Sequence, residues 1–219
     1  MKLYNYYRSS ASYQVRIALN LKGLDYEQVA VHLVKDGGQQ LLPSYRAIHA
    51  DALVPALVDD ENGTTHTLTQ SLAIIEYIDE VHPQPPLLAS NAVDRAYVRG
   101  LALSVACDIH PLNNLRVLRY LTGELKVNDE QKDTWYRHWC EQGLQALETT
   151  LARDTRVGKC CYGDTPTMAD CCLIPQLYNA RRFNCDLSSM PTLLRIEQYC
   201  LSLDAFVKAS PEKQPDAAG

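Results

Sequence analysis

At 219 residues the chain has room for one large domain or two small ones, and for a core that needs no staples. A 46% hydrophobic and 21% charged composition excludes a disordered, collagen-like or coiled-coil chain. The net charge of −5, with no Lys/Arg run, excludes the clustered positive charge that phosphate backbones and anionic membranes select, so no nucleic-acid or membrane partner is expected.

Residues 2–6, short and aromatic, predict a first strand. Residues 12–21 carry Val15, Ile17, Leu19 and Leu21 at helical spacing after a run of serines, and Gly23 supplies the stop. Residues 26–33 alternate as a second strand, and 35–48, with Gly37, Gly38 and Pro43, predict an irregular loop with at most one helical turn. A proline-led run at 53–58, an Asn62-Gly63 turn and residues 64–69 predict a hairpin. Gln70 and Ser71 open a helix, with Ser71 as its N-cap and Leu72, Ile75, Tyr77 and Ile78 inward, stopped by His82 and Pro83.

Beyond the proline-rich stretch 82–90 the strand signals vanish. Amphipathic runs at 92–121, 129–151, 167–180 and 191–201 predict an all-α bundle. The domain boundaries are therefore 1–83 and 88–219, with a tail from 211 onward that has little to pack. No apolar run reaches the ~18–20 residues of a membrane span, and the start MKLYNYYR is too short and polar for a signal peptide. A cytoplasmic protein is expected. Its eight cysteines, without a C-x-x-C pair, then belong mostly to the core, with no metal site.

Several polar groups stand out. Ser9, Ser10 and Ser12 around Ala11 put hydroxyls and backbone N–H groups at a helix N-terminus, a place that caps the helix and favours anions. Ser71 repeats that arrangement. His110 and Asn114, four apart, share a face of the predicted 92–121 helix, with Arg116 at its edge. Thr167-Met168-Ala169-Asp170 has capping-box spacing and is structural. Arg181-Arg182 sits where a helix C-terminus favours cations.

The order βαβ, hairpin, helix, bundle comes with a run of landmarks: Arg8-Ser9-Ser10-Ala11-Ser12, Lys35 to Gln40, Val54-Pro55, Gln70-Ser71, His110-Pro111, Gly163-Asp164, Arg182-Phe183 and Gln214-Pro215-Asp216. Together they resemble the zeta class of glutathione transferases, with its maleylacetoacetate and maleylpyruvate isomerases. The resemblance implies a thioredoxin-like α/β N-terminal domain, an all-α C-terminal domain, a homodimer, and glutathione as cofactor in a cleft between the domains. It implies that Ser9, supported by Ser10, donates to the glutathione sulfur. The family's Ser-Ser-Cys-Ser motif has Ala11 at its third place here. It further implies a cis Val54-Pro55 bond with the Val54 backbone pairing to the tripeptide, Gln40 at its glycyl end, and Gln70 and Ser71 at the γ-glutamyl carboxylate. His110, Asn114 and Arg116 would line the ligand, while Arg8, Arg116 and Arg182 would hold a maleyl dicarboxylate. The implied reaction is reversible thiolate addition to a cis double bond, with rotation before release. Maleylacetoacetate isomerisation is the first reading; maleylpyruvate isomerisation, a conjugating transferase and a glutathione-binding protein without turnover are the alternatives.

Overall fold

The structure, a computed structural model, describes residues 1–61 and 63–218. Asn62, in the expected hairpin turn, lies outside the described residues. The chain forms two compact units: Met1–Leu87 with Ser202–Gly219, and Leu88–Leu201.

The first unit begins with β1 (Lys2–Asn5), α1 (Ser10–Leu21), β2 (Glu27–Ala30) and α2 (Pro43–Arg46), followed by β3 (Ala56–Glu61), β4 (Thr64–Thr69) and α3 (Ser71–Val81). The sheet order is β2-β1-β3-β4, with β1 and β2 parallel and the other pairs antiparallel. This is the mixed four-stranded sheet of a thioredoxin-like unit. Strand β2 is shorter than the predicted 26–33, because it is an edge strand that pairs only with β1 and is mostly exposed. Helix α1 ends as the sequence predicts. Gly23 adopts φ +65°, and Gly23 N and Leu24 N donate to Asn20 O and Leu19 O at 3.1 and 3.0 Å, closing the last turn. Helix α3 buries Ile74, Ile75 and Ile78, while Leu72 and Tyr77, expected inside, are only half-buried.

The second unit is helical: α4 (Ala92–Leu103), α5 (Leu115–Gly123), α6 (Asp129–Leu151), α7 (Met168–Arg182) and α8 (Pro191–Cys200). The single helix predicted over 92–121 is not formed. After α4 the backbone widens into a π-type turn (Ser104–Ile109), tightens into a 3₁₀ turn (His110–Asn113), and starts α5 afresh with Asn114 as its N-cap. Pro111 explains the break, since a proline cannot donate to the ladder of an unbroken helix. Helix α6 spans the predicted range behind an Asn128–Gln131 capping box. Helix α7 is the buried centre of the unit and starts at the Thr167–Asp170 capping box. The Asp170 carboxylate accepts from Thr167 N and Cys161 N at 2.7 and 2.8 Å, which ties the loop before α7 to its first turn. Six of the eight cysteines are buried, Cys185 is half-buried and Cys107 exposed, and none forms a disulfide. Cys160, Asp170 and Cys200 approach one another within 4.8 Å in this core, where the Asp170 oxygens are engaged by the capping box.

Helix α9 (Asp204–Ala209) and the two short turns after it return to the first unit. Tyr13, Arg16 and Asn20, on one face of α1, donate to Phe206 O, Ala209 O and Ala205 O at 3.4, 3.0 and 3.0 Å. Phe206 is fully buried. The tail is not loose either: Pro211 and Gln214 are buried, and the Gln214 amide donates to both Lys208 O and Ser210 O at 2.8 Å. Sequence reading missed this because the tail is held by polar side chains bonding to backbone, which leave no hydrophobic period. No helix among the described residues is long and apolar enough to cross a membrane.

Candidate functional site

Strand register decides which predicted residues meet in the first unit. Tyr4 pairs with Ala56, Ala56 pairs with Thr69, and Asn5 pairs with Ala30. The end of β1, the start of β3, the end of β4 and the end of β2 therefore share one end of the sheet. From that end leave the loop to α1 (Arg8, Ser9, Ser10, Ala11), the approach to β3 (Val54), the corner into α3 (Gln70, Ser71) and the loop after β2 (Gln40). Two helices, α1 and α3, begin there, and neither has an acidic residue in its first turn. The exposed N–H groups of two helix N-termini give this end of an otherwise acidic chain a local preference for anions.

Ser9 is the N-cap of α1, where its Oγ accepts from Ser12 N at 3.2 Å. A hydroxyl that accepts this bond still has its proton to donate, so capping and donation to a ligand coexist in one side chain. Ser10 is buried in the first turn and Ala11 half-buried beside it. Arg8 rests on aromatic rings: its Nη2 donates to the Tyr6 hydroxyl at 3.0 Å and its Cζ lies 5.1 Å from the Tyr7 ring centroid.

The Val54-Pro55 bond is cis, as the resemblance implies. Tyr45 of α2 donates to Leu53 O at 2.6 Å and fixes the backbone just before it. Burial pushes the Tyr45 phenol well above its ordinary range, so it remains a donor. Gln40 is 6% exposed; its Nε2 donates to Leu33 O at 3.4 Å and its Oε1 has no partner in the protein. Gly38, at φ +111°, makes room for that amide: a Cβ there would stand 2.7 Å from Gln40 Nε2.

Ser71 is not the N-cap of α3 but its first helical residue; the N-cap is Gln70, whose side chain makes no capping bond. Strand β4 runs to Thr69, which leaves Gln70 alone to turn the corner, at φ 68° and ψ 115°. A non-glycine residue there carries of order 1–3 kcal/mol of strain, of the kind that gathers at ligand clamps. The first-turn N–H groups of α3 are thus left without a side-chain cap.

In the second unit the expected shared face of His110 and Asn114 is lost with the helix that would have made it. His110 opens the 3₁₀ turn, Asn114 caps α5 by accepting from Arg116 N at 3.1 Å, and the Arg116 side chain is exposed. The turn is pinned to α6 by Trp135 Nε1 donating to Leu112 O at 2.9 Å and Asn113 Nδ2 donating to Tyr136 O at 3.1 Å. Asn113 is buried with an unpartnered Oδ1; Pro111, two residues before it, was the signal for the turn that buries it. Arg182 is the exposed last residue of α7, with Nη1 donating to Asn179 Oδ1 at 3.3 Å. Arg181, by contrast, is paired with Glu197.

Burial, with the Arg116 guanidinium second, pushes the His110 imidazole down to about 4, so it is neutral at pH 7. Between pH 6.5 and about 4 the unfolded chain binds a proton at this histidine that the folded chain does not. Stability should therefore fall as pH drops through that window, by up to about 3 kcal/mol from this group. Urea titrations at pH 7 and pH 5 should show the loss, and His110→Asn should shrink it; an unchanged difference in the variant would assign the loss to other groups.

Residues 3–86 match the family described as glutathione S-transferase, N-terminal domain. A probable maleylacetoacetate isomerase of Vibrio cholerae is 49% identical over 215 residues, covering 98% of this chain and 97% of that protein. The holo structure of a maleyl pyruvate isomerase, described as a bacterial zeta-class glutathione S-transferase, superposes with a TM-score of 0.93 at 45% identity, over 99% of this chain and 100% of that one. A maleylacetoacetate isomerase from Anaeromyxobacter dehalogenans, solved with dicarboxyethyl glutathione and citrate in its active site, superposes at 0.87 with 44% identity, over 99% and 96% of the two chains. With whole-chain identity at this level and the same mixed sheet followed by a helical unit, the chain belongs to the glutathione S-transferase family, in the zeta class with the maleylacetoacetate and maleylpyruvate isomerases.

Proposed function

We propose that the protein is a glutathione-dependent cis–trans isomerase that converts maleylacetoacetate to fumarylacetoacetate in aromatic amino-acid breakdown, working as a cytoplasmic homodimer. The observation that carries this reading is the 49% identity over nearly the full length to a probable maleylacetoacetate isomerase. The residues fit a glutathione tripeptide: a hydroxyl with a proton to donate, two helix N-termini with no acidic residue in their first turns and an unpartnered buried amide oxygen issue from one end of the sheet.

When bound, glutathione supplies the thiolate that adds to the cis double bond and is expelled after rotation. The chain's own part is to bind, orient and stabilise. Ser9 donates to the sulfur, with Ser10 and the α1 N–H groups around it, Ala11 included. Val54 offers its backbone to the tripeptide, Gln40 its amide to the glycyl end, and the uncapped start of α3 at Gln70 and Ser71 takes the γ-glutamyl carboxylate. Arg8, Arg116 and Arg182 hold substrate carboxylates and the charge that develops during rotation. His110, neutral, and Asn114 offer hydrogen bonds without adding charge.

Changing Gln70 and Ser71 together to alanine should weaken glutathione binding at least about tenfold by calorimetry, since a carboxylate loses polar partners at a helix N-terminus. Unchanged affinity would remove their assigned role. Sedimentation at micromolar concentration should give a particle of twice the 24.6 kDa chain mass, and a monomer there would refute the dimer. A second reading, maleylpyruvate isomerase, is supported by the 45% identity over 218 residues, the full length of both chains, to an enzyme of that name from Ralstonia. Purified enzyme assayed on both diacids, with and without glutathione, decides between them by kcat/KM. Activity on neither would sink the isomerase proposal.

A further inference from the structure

The late Gln214-Pro215-Asp216 motif has no part in the roles assigned above, yet it reaches the loop on which those roles depend. The Asp216 carboxylate accepts from Tyr7 N at 2.9 Å across 209 positions of sequence. On the other side of the same residue, Tyr7 O accepts from Nη2 of the fully buried Arg16 at 2.9 Å. Arg16 also donates to Asn5 Oδ1 and Ala209 O at 3.0 Å each, so one guanidinium joins the end of β1, the loop and the end of α9. Tyr7 is thus gripped through both its N–H and its C=O, two residues before Ser9. Between Tyr7 and Ser9 sits only Arg8, which leans on the Tyr7 ring.

We infer that Asp216 is a positioning residue for the reaction: by holding the Tyr7 amide from the C-terminal segment it fixes where the Ser9 hydroxyl and the Arg8 guanidinium stand. The inference rests on the reading of Ser9 as donor to the glutathione sulfur. A donor stabilises charge only within a few tenths of an ångström of its proper place, so a loop that carries one must be tied down. The tie has the features of a rigid one. Two prolines, Pro211 and Pro215, flank Gln214, whose amide locks the turn, and prolines lower the entropy lost in holding a segment. The partner is a carboxylate, which makes a stronger bond to an N–H than a neutral acceptor does. Asp216 and Arg16 attract each other electrostatically, which offsets part of the carboxylate's charge beside the loop.

The test compares Asp216→Ala with Asp216→Asn in the full chain, with Ser9→Ala alongside. Asparagine keeps an acceptor oxygen and alanine does not. In ligand-free Asp216→Ala, the Tyr7 amide should exchange with solvent about tenfold faster or more. In the same variant kcat should fall about tenfold or more and the thiol pKa of the glutathione complex, read from the ultraviolet thiolate band, should rise by about half a unit or more. Calorimetric affinity for glutathione should change less than about threefold, because the tripeptide's other contacts remain. Asp216→Asn should return all readouts to within about threefold of the parent. Parental kcat and thiol pKa in Asp216→Ala, or equal losses in the alanine and asparagine variants, overturn the inference. If Ser9→Ala changes neither kcat nor thiol pKa, the Ser9 reading fails and the inference with it; if Ser9→Ala changes both and Asp216→Ala neither, the inference alone fails. Should Asp216→Ala not fold, Asp216→Glu keeps charge and acceptor but displaces them by one methylene: a parental kcat there overturns the inference and a loss of about threefold or more supports it.

Discussion

Ser9→Ala should lower turnover by about 10²–10³-fold, the cost of deleting one preorganised donor. An unperturbed thiol, with pKa near 8.5, is only about 3% ionised at pH 7. Lowering that pKa by ~2 units corresponds to about 2.7 kcal/mol and leaves roughly three quarters as thiolate. A hydroxyl bond at a helix N-terminus can supply this without a protein base. Ser9 also caps α1, so alanine should cost about 1 kcal/mol of stability as well. Glycine separates the two effects, since it caps almost as well as serine but donates nothing from its side chain. Ser9→Gly should show the same turnover loss as Ser9→Ala with a higher Tm. A Ser9→Gly enzyme with parental turnover would make Ser9 a cap and nothing more.

Arg182→Ala should raise KM for the diacid about tenfold or more while leaving glutathione affinity nearly unchanged. Removing a guanidinium from a desolvated carboxylate costs ~2–5 kcal/mol, most of it the penalty of the stranded charge. Arg182 is exposed at the end of α7 with a guanidinium held to Asn179 and set 5.6 Å from the Phe183 ring. That ring stacks on Tyr136 at 3.6 Å and 8°, which gives the arginine a firm base. Arg182→Lys should recover only part, since an ammonium cannot form the bidentate fork. Because the side chain is exposed, thermal stability should hardly change. Steady-state kinetics with each ligand varied in turn decides it: equal losses for both would mean damage to the fold, and no loss would return the carboxylate to Arg8 and Arg116.

Where local chemistry and period agree, the sequence was enough to read the fold. Helix α6 has an Asn cap, a reciprocal glutamine and six turns of pattern, and its ends fall where they were predicted. The Thr167–Asp170 box fixes the start of α7 in the same way, and the helix runs two residues past the predicted end, to Arg182. The break between α4 and α5 was hidden because apolar residues keep helical spacing through it; Pro111 was the contrary sign, and it prevails because a missing N–H cannot be negotiated. Ser71 slipped by one position because the corner falls on Gln70, whose backbone conformation no propensity for glutamine would suggest. The meeting of Ser9, Gln40, Val54 and Gln70 at one sheet end was legible through the family resemblance, but its physical cause is strand register, which sequence patterns state only pair by pair.

The return of the last residues to the first unit bears on how the protein is made. The second unit, Leu88–Leu201, is continuous in sequence and can complete itself as it emerges from the ribosome. The first unit cannot. When residue 87 has been added, Tyr13, Arg16 and Asn20 still lack the carbonyls of α9, and the pocket of α1 that Phe206 fills stands open. At ~5–20 residues per second those partners arrive roughly 6–24 s later. A nascent N-terminal half must therefore wait with the Arg16 guanidinium one bond short of its full set, and the domain that begins the chain is the last to close.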